Sequence, residues 1–356
     1  MLKNKFKNFN IKVAIITLII LLILSVGIAV SIGSVSIDIV DVYKIIIYKL
    51  FGNESLIRNI DTSFIDIVWE IRLPRVLLGV ISGAGLALGG VVMQATVQNP
   101  LADPYILGIS SGGTLGAAFA MLAVSSFNLV GSSSLSINLM SFLGALFASI
   151  LVFKFSSIGG RITSTKLVLS GVVINLIFSS LTNLLIYFTN DNSAIRSATE
   201  WTMGSLVSAN FNNILIPFVV VFVCIVFFMT QYRIMNGMLL GDETAITLGI
   251  DLSMYRKIYL VIVSILTGVL VSSCGIIGFV GLVIPHITRS LVGTNHKYNI
   301  PVAILIGAIF LVWADVLARI LIKNMEMPIG IITSLIGAPF FMYIMIKRTY
   351  TFGGSN

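Results

Sequence analysis

Charged residues, histidine and cysteine are all scarce in this sequence. Asp, Glu, Lys and Arg make up 10% of the 356 residues, whereas they make up about a quarter of an ordinary soluble domain. The two histidines and two cysteines show no metal-ligand spacing. We therefore exclude a soluble globular domain, and we expect neither a metal site nor another cofactor.

Motifs for catalysis and nucleotide binding are missing as well. The G-x-x-x-x-G-K-[ST] phosphate loop does not occur, and the nearest string, GGRITSTK at 159–166, lacks the Gly-Lys-Ser/Thr order. No nucleophile with a base and no paired carboxylates stand out. We predict that the chain is not an enzyme and has no catalytic residues, so ATP hydrolysis would belong to a separate subunit.

Long apolar runs dominate what is present, since 57% of the residues are hydrophobic. Runs of about 18–22 such residues indicate membrane-spanning helices. We expect one all-α polytopic domain over residues 1–356 with about ten spans, placed in the cytoplasmic membrane. The run at 279–292 is short, which predicts a short or broken helix buried among its neighbours. The spans are predicted at 13–30, 73–96, 105–124, 138–156, 167–188, 213–232, 257–276, 279–292, 301–321 and 328–346.

Charge distribution predicts the orientation of these spans. With both termini in the cytoplasm, the inner side carries 14 of the 22 basic residues and only four of the 14 acidic ones, as the positive-inside rule requires. The net charge of +8 is thus a topology signal and not a sign of nucleic-acid binding. The mixed-charge stretch 34–71 is expected to form short helices on the outer surface. The inner basic residues are Lys3, Lys5, Lys7, Lys12, Lys154, Arg161, Lys166, Arg233, Arg256, Lys257, Arg289, Lys297, Lys347 and Arg348.

The first apolar run has two readings. A cleaved signal peptide would also begin with basic residues, but its apolar core spans about 7–15 residues and a small-x-small cleavage site follows it. The run 13–30 is longer and no clear site follows. We therefore expect a retained first span.

Glycine is concentrated in the second span. Gly79 and Gly83, and then Gly85 and Gly89, are spaced four apart, and Gly90 follows. Small residues at this spacing let helix backbones approach closely in a membrane. This helix is therefore expected to pack inside a multi-helix assembly.

Several motifs in this order resemble a known family. They are RLPR, MQ, NPLADP and LGISSG between 72 and 112, then LLGDETAITLGIDL at 239–252, GFVGLVIPHITR at 278–289, ADVLAR at 314–319 and MPIGIITSLIGAPF at 327–340. The chain resembles the membrane permeases of ABC importers for iron–siderophore, haem and cobalamin. The resemblance implies a second permease copy or a paralogue, two ATP-binding subunits and an extracytoplasmic substrate-binding protein. Membrane lipid is a further partner, and nucleic acid is not.

The resemblance also implies roles for residues at the outer rim. Arg72, Arg75 and Arg319 match arginines that dock the binding protein. Asp315 lies four residues before Arg319, so the two share a helix face and are expected to pair. A proton relay through Asp315 is the alternative, but it would need a chain of further titratable groups.

At the inner rim, the resemblance implies a gate and a coupling segment. Asn99 and Leu101, with Ser164 and Thr165 as a second constriction, match positions that narrow the path. The stretch 239–252 matches the segment that docks into the ATPase. From the residues alone, Gly241 breaks a helix, Asp242 caps a new one and Gly249 suits a left-handed stop. The expected coupling residues are Leu240, Gly241, Asp242, Glu243, Ala245, Leu248 and Gly249.

The resulting hypothesis is a permease subunit that moves an iron–siderophore, or a related haem- or cobalamin-type chelate, from a binding protein into the cell. An ion- or proton-coupled secondary transporter is the rival, but it needs charges at a midplane site. A free-metal permease is a further alternative, disfavoured by the scarcity of histidine.

Overall fold

A computed structural model describes residues 11–33, 35–123, 134–159, 163–322 and 325–347. These residues form helices and turns and contain no β-strand, which confirms the all-α prediction. Lys3, Lys5, Lys7, Arg161 and Arg348, used above for orientation, lie outside the described residues. The helices are α1 (Ile11–Ser31), α2 (Ile39–Phe51), α3 (Thr62–Thr96), α4 (Ile109–Ala118), α5 (Ser134–Ser156), α6 (Ser164–Phe188), α7 (Asn192–Thr202), α8 (Phe211–Thr230), α9 (Tyr232–Met238), α10 (Asp242–Thr247), α11 (Leu252–Cys274), α12 (Val280–Val292), α13 (His296–Ile320) and α14 (Ile329–Lys347).

Seven of the described helices are long and apolar enough to cross a membrane: α1, α3, α5, α6, α8, α11 and α13. Three shorter apolar helices, around α4, α12 and α14, fall at the remaining predicted positions. Together they match the ten expected spans in place. The count of ten and the cytoplasmic position of both termini stay predictions.

Helix α3 forms the centre of the bundle. Its most apolar stretch is 83% buried, and it packs against α8, α11, α12 and α13. A Cβ at Gly83 would overlap the carbonyl oxygen of Gly307 on α13, and one at Gly90 would overlap that of Gly281 on α12. Two of the five glycines therefore allow direct backbone contact, and the predicted internal position of this helix is confirmed.

The start of α3 corrects the prediction for residues 34–71. Helix α2 is separate, but residues 62–71 belong to α3, which runs unbroken from Thr62. Pro74 lacks an N–H group and would interrupt a regular helix. A π-helical stretch, Ile67–Arg72, comes just before it, and such wider turns absorb a mismatch in helix hydrogen bonding.

Between α11 and α12 the chain is irregular although it is surrounded by protein. Gly275 and Phe279 both have positive φ, +68° and +67°. Tyr105 supplies hydrogen bonds to this stretch, because its hydroxyl donates to the carbonyl of Ile277 at 3.1 Å and accepts from the same residue's N–H at 3.2 Å. Such a break is tolerated at membrane depth only when protein satisfies the backbone. The predicted short, buried helix is confirmed as α12.

Candidate functional site

One end of the molecule, here called the arginine end, holds three arginines around a buried acid. Asp315 on α13 has 2% of its side chain exposed. Its Oδ1 accepts a hydrogen bond from Arg75 Nε at 2.9 Å, and Arg319 Nε lies 3.1 Å from its Oδ2. The predicted pair of Asp315 with Arg319 is confirmed. Arg75 is a second partner, 240 positions away in the sequence.

The arginines also hold the C-terminal end of α1. Arg72 Nη1 donates to the carbonyls of Val30 and Ser31, both at 2.9 Å. Arg319 Nη2 donates to the carbonyl of Ala29 at 3.0 Å. The last carbonyls of a helix lack an intrahelical donor and carry partial negative charge. The two guanidinium groups therefore cap α1 and fasten it to α3 and α13.

The three predicted docking arginines are thus engaged within the chain. Only 5% of Arg72 and 6% of Arg75 are exposed. The cluster reaches the surface through Glu326, whose Oε2 accepts a hydrogen bond from Arg75 Nη1 at 2.8 Å while half of its side chain is exposed. A partner protein could bind Arg75 only if the Glu326 side chain moves away from it.

The opposite end, here called the loop end, contains the turn after α3 and the segment 239–252. Gln98 has a φ of +52°, an uncommon value for a non-glycine residue. Asn99 Oδ1 accepts from the N–H of Leu101 at 2.9 Å, so the predicted gate residue Asn99 shapes this turn. Asp103 Oδ1 accepts from the N–H of Tyr105 at 2.8 Å. Burial raises the pKa of Asp103 to about 6, in opposition to that hydrogen bond.

The second predicted constriction lies at the start of α6. Thr163 caps this helix by accepting from the N–H of Lys166 at 3.3 Å. Ser164 lines a cavity of about 620 Å³ whose other wall includes Asp242 and the end of α3. The structure therefore brings Ser164 next to the coupling segment. Thr165 is exposed, and neither it nor the two turn residues Asn99 and Leu101 line this cavity.

The coupling segment folds into the predicted short helix, α10, with one correction at its start. The N-cap residue is Gly241, with a φ of +93°, and not Asp242, whose carboxylate binds Arg256 instead. Gly249 has a φ of +80° and its N–H bonds the carbonyl of Ile246 at 2.9 Å. The left-handed stop predicted at Gly249 is confirmed.

Helix α10 and the two residues that flank it present apolar side chains outward. Leu240, Ile246 and Leu248 are between 54% and 62% exposed, although they lie outside the candidate spans. Ala245 is fully buried and Glu243 is exposed at the helix start, where a negative charge suits the helix dipole. Exposed apolar residues clustered on and beside a short helix are typical of a surface that a partner covers.

Two side chains with no motif of their own join the parts of the loop end. Arg256 on α11 contacts both Asp242 and the end of α3, and Gln98 Nε2 donates to the carbonyl of Met238 at 2.6 Å. In the sequence, Arg256 is one of the basic residues assigned to the inner side, and Gln98 belongs to none of the motifs. No local pattern could have identified them, because their partners are distant in sequence.

A polar groove of about 410 Å³ runs along α6 toward the arginine end. Asn175, Ser179 and Asn183 are exposed on one face of α6 at four-residue spacing. Helices α4 and α7 add further hydroxyl groups, and the described residues that line the groove carry no charge. The lining polar residues are Ser110, Ser111, Thr114, Asn175, Ser179, Thr182, Asn183, Thr199 and Thr202.

Apolar helices packed around a glycine-lined α3, with paired charges at one end and an exposed helix at the other, define a polytopic helical membrane protein. The model of the FecCD transport family matches residues 18–347. The chain belongs to this family. The resemblance to ABC permeases for iron–siderophore, haem and cobalamin is therefore confirmed, as is the cytoplasmic membrane as its location.

Relatives and a solved structure agree with this assignment. The Fe(3+)-citrate import system permease of Bacillus subtilis is 36% identical over 90% of both chains. The cobalamin import system permease of Halobacterium salinarum is 39% identical over 79% of this chain and 74% of its own. A metal-chelate type ABC transporter, solved in an inward-facing conformation, aligns with a TM-score of 0.80 and 31% identity over 94% of this chain and 99% of that one.

Proposed function

We propose that this chain is the membrane-spanning subunit of an ATP-driven importer for a metal chelate of the iron–siderophore, haem or cobalamin type. The observation that carries the proposal is α10, a short helix outside the spans that is flanked by the exposed Leu240 and Leu248 and joined by Arg256 to the end of α3. Such a helix serves no purpose in the bilayer itself, and it suits a cleft on an ATP-hydrolysing subunit. Relatives named for haem, cobalamin and ferric citrate transport support the class of cargo.

In this proposal the loop end faces the cytoplasm and the arginine end faces outward. Two ATP-binding subunits contact residues 239–252, with Leu240, Gly241, Asp242, Glu243, Ala245, Leu248 and Gly249 as the coupling residues. The inner gate is formed by Asn99 and Leu101, together with Ser164 and Thr165. A second copy of the chain, or a paralogue, completes the path.

A substrate-binding protein docks at the arginine end. Arg75 is the docking residue with the most direct support, because its partner Glu326 is half exposed. A carboxylate of the binding protein would replace Glu326 at Arg75. Arg72 and Arg319 contribute indirectly, because their guanidinium groups hold the C-terminal end of α1 in place. Charge pairs across such an interface guide the encounter and fix its register.

Cargo passes along the polar groove of α6. Uncharged hydroxyl and amide groups offer weak hydrogen bonds without a strong electrostatic trap, so a chelate is not held tightly during passage. The rival mechanism, a proton relay through Asp315, is disfavoured because this acid already has two arginine partners.

Uptake assays with labelled ferric siderophore, haem and cyanocobalamin test the proposal in cells that contain the complete transporter. Uptake of at least one of these should stop when ATP is depleted while the ion gradients are kept. Uptake that continues under those conditions would support a secondary transporter and overturn the proposal.

A pair of variants tests the role of α10. Leu240→Asp with Leu248→Asp should abolish co-purification of the ATPase subunit and uptake, because both side chains are about 60% exposed and charge would oppose an apolar contact. Phe51→Asp on α2, a site that is 79% exposed, is the control and should retain both. Retained ATPase binding in the double variant would contradict the role of α10.

A further inference from the structure

Arg256 makes contacts in two directions from one guanidinium group. Its Nη1 and Nη2 donate to the two carboxylate oxygens of Asp242 at 3.0 and 2.7 Å. Its Nε donates to the carbonyl of Thr96 at 3.0 Å. Asp242 is the first residue of α10 and Thr96 is the last of α3. Arg256 itself lies in the second turn of α11, so one side chain joins three helices.

The carbonyl of Thr96 belongs to the last turn of α3, where helix carbonyls lack an intrahelical donor. The N–H of Val97 donates to the carbonyl of Met93 at 2.9 Å, and this is the last bond of the helix. The turn at 97–101 therefore follows Thr96 directly. A displacement of the Thr96 carbonyl therefore moves the start of the turn that contains the proposed gate residues.

A second contact holds the same turn to the other side of the coupling segment. Gln98 Nε2 donates to the carbonyl of Met238 at 2.6 Å, and Met238 ends the helix that precedes α10. The end of α3 is thus tied to both flanks of residues 239–252. Arg256 is the member of this arrangement that contacts α10 itself.

We propose that Arg256 is the positioning residue that transmits movement of α10 to the end of α3 and so to the inner gate. The inference rests on the proposed function, because it assumes that an ATPase subunit moves α10. Arginine suits this task, since its planar fork binds a carboxylate with two nitrogens and leaves Nε for a carbonyl. Its side chain is 17% exposed, so protein surrounds it on most sides.

Lysine at this position separates transmission from docking. Arg256→Lys keeps the charge and most of the length, but a single ammonium cannot reproduce the bidentate contact together with the Thr96 bond. In the complete transporter, we expect the ATPase subunit to co-purify and to hydrolyse ATP as before. Cargo delivered per ATP should fall about tenfold, the size expected for one lost charged hydrogen bond.

Two further variants are compared with Arg256→Lys: a control at another arginine and a double variant that exchanges the two charges of the ion pair. Arg233→Lys is the control, because Arg233 on α9 is exposed and bonds only its neighbour Tyr232 among the contacts described; it should leave the coupling ratio unchanged. The swap Arg256→Asp with Asp242→Arg can rebuild the ion pair, yet aspartate cannot donate to the Thr96 carbonyl. We expect the swap to remain uncoupled.

Three outcomes would overturn the inference. A normal transport-to-ATP ratio in Arg256→Lys would show that no signal passes through this side chain. Full coupling in the charge swap would assign the effect to the ion pair alone. Loss of the ATPase subunit from Arg256→Lys would make Arg256 a docking residue. The proposed function has a separate test: a wild-type chain that binds no ATPase subunit would overturn it.

Discussion

At the scale of single residues, the arginine end shows how a charge can be kept inside a membrane protein. Asp315 is shared by Arg75 and Arg319, and surplus guanidinium donors are used by the carbonyls at the end of α1. An isolated charge in this place would cost several kcal/mol. The cluster therefore compensates its own burial and at the same time fixes three helices against each other.

Asp315→Asn should destabilise the protein strongly, by about 3–5 kcal/mol, because it leaves two buried arginines without their shared carboxylate. Thermal unfolding of the detergent-solubilised protein measures the effect. Glu326→Gln is the matched control and should cost no more than about 1 kcal/mol, since half of the Glu326 side chain is already exposed. Equal losses of stability in the two variants would show that Asp315 does not organise the cluster.

At the scale of elements, α3 is the helix on which the others depend. Its glycines do not all serve the same purpose. Gly83 and Gly90 face the backbone of a neighbouring helix at overlapping distance, whereas a Cβ at Gly79 would meet Leu206 at 3.4 Å and Val312 at 3.8 Å, which are ordinary contact distances. Only Gly83 and Gly90, among the five glycines of this stretch, allow a neighbouring helix backbone to approach closely. The four-residue spacing of the glycines did not identify these two positions.

Gly90→Ala should therefore reduce the yield of folded protein sharply, because its Cβ would overlap backbone atoms of Gly281 that cannot rotate away. We expect a loss of about 3 kcal/mol or more, at the upper end for overpacking. Gly79→Ala should be nearly neutral. The recovery of monodisperse protein and its melting temperature give the comparison, and a Gly79 variant as damaged as the Gly90 variant would contradict it.

At the scale of the whole molecule, the face of α6 needs a polar environment. The most apolar stretch of α6 is only 22% buried in the single chain, yet the helix exposes Asn175, Ser179 and Asn183. Polar groups at membrane depth normally face protein or a water-filled cavity. In the assembled importer we therefore expect this face to line an aqueous path and not to contact lipid.

Cysteine labelling tests this expectation. In a background with Cys224→Ala and Cys274→Ala, Ser179→Cys should react with a water-soluble maleimide in intact membranes. Val223→Cys on α8 is the control, because Val223 is 58% exposed on an apolar helix and should face lipid. Equal labelling of the two sites would show that the α6 face is not an aqueous surface.

The sequence by itself determined the class of protein and the places of its apolar helices, apart from the early start of α3 at Thr62. Apolar runs predicted the spans because the cost of placing polar groups in hydrocarbon is set residue by residue along one helix. The pair of Asp315 with Arg319 and the left-handed stop at Gly249 were also predictable, since each depends on neighbours within a few positions. The family motifs added the expected roles at the two rims.

Only the tertiary structure decided which distant groups meet. Arg75 bonds Asp315, which is 240 positions away in the sequence, and Arg256 bonds Thr96, which is 160 positions away. These contacts depend on which helix faces pack together and at what depth, and neither composition nor spacing contains that information. For the same physical reason, the burial of the arginines, the two contacting glycines and the connection from α10 to the end of α3 emerged only once the helices were assembled.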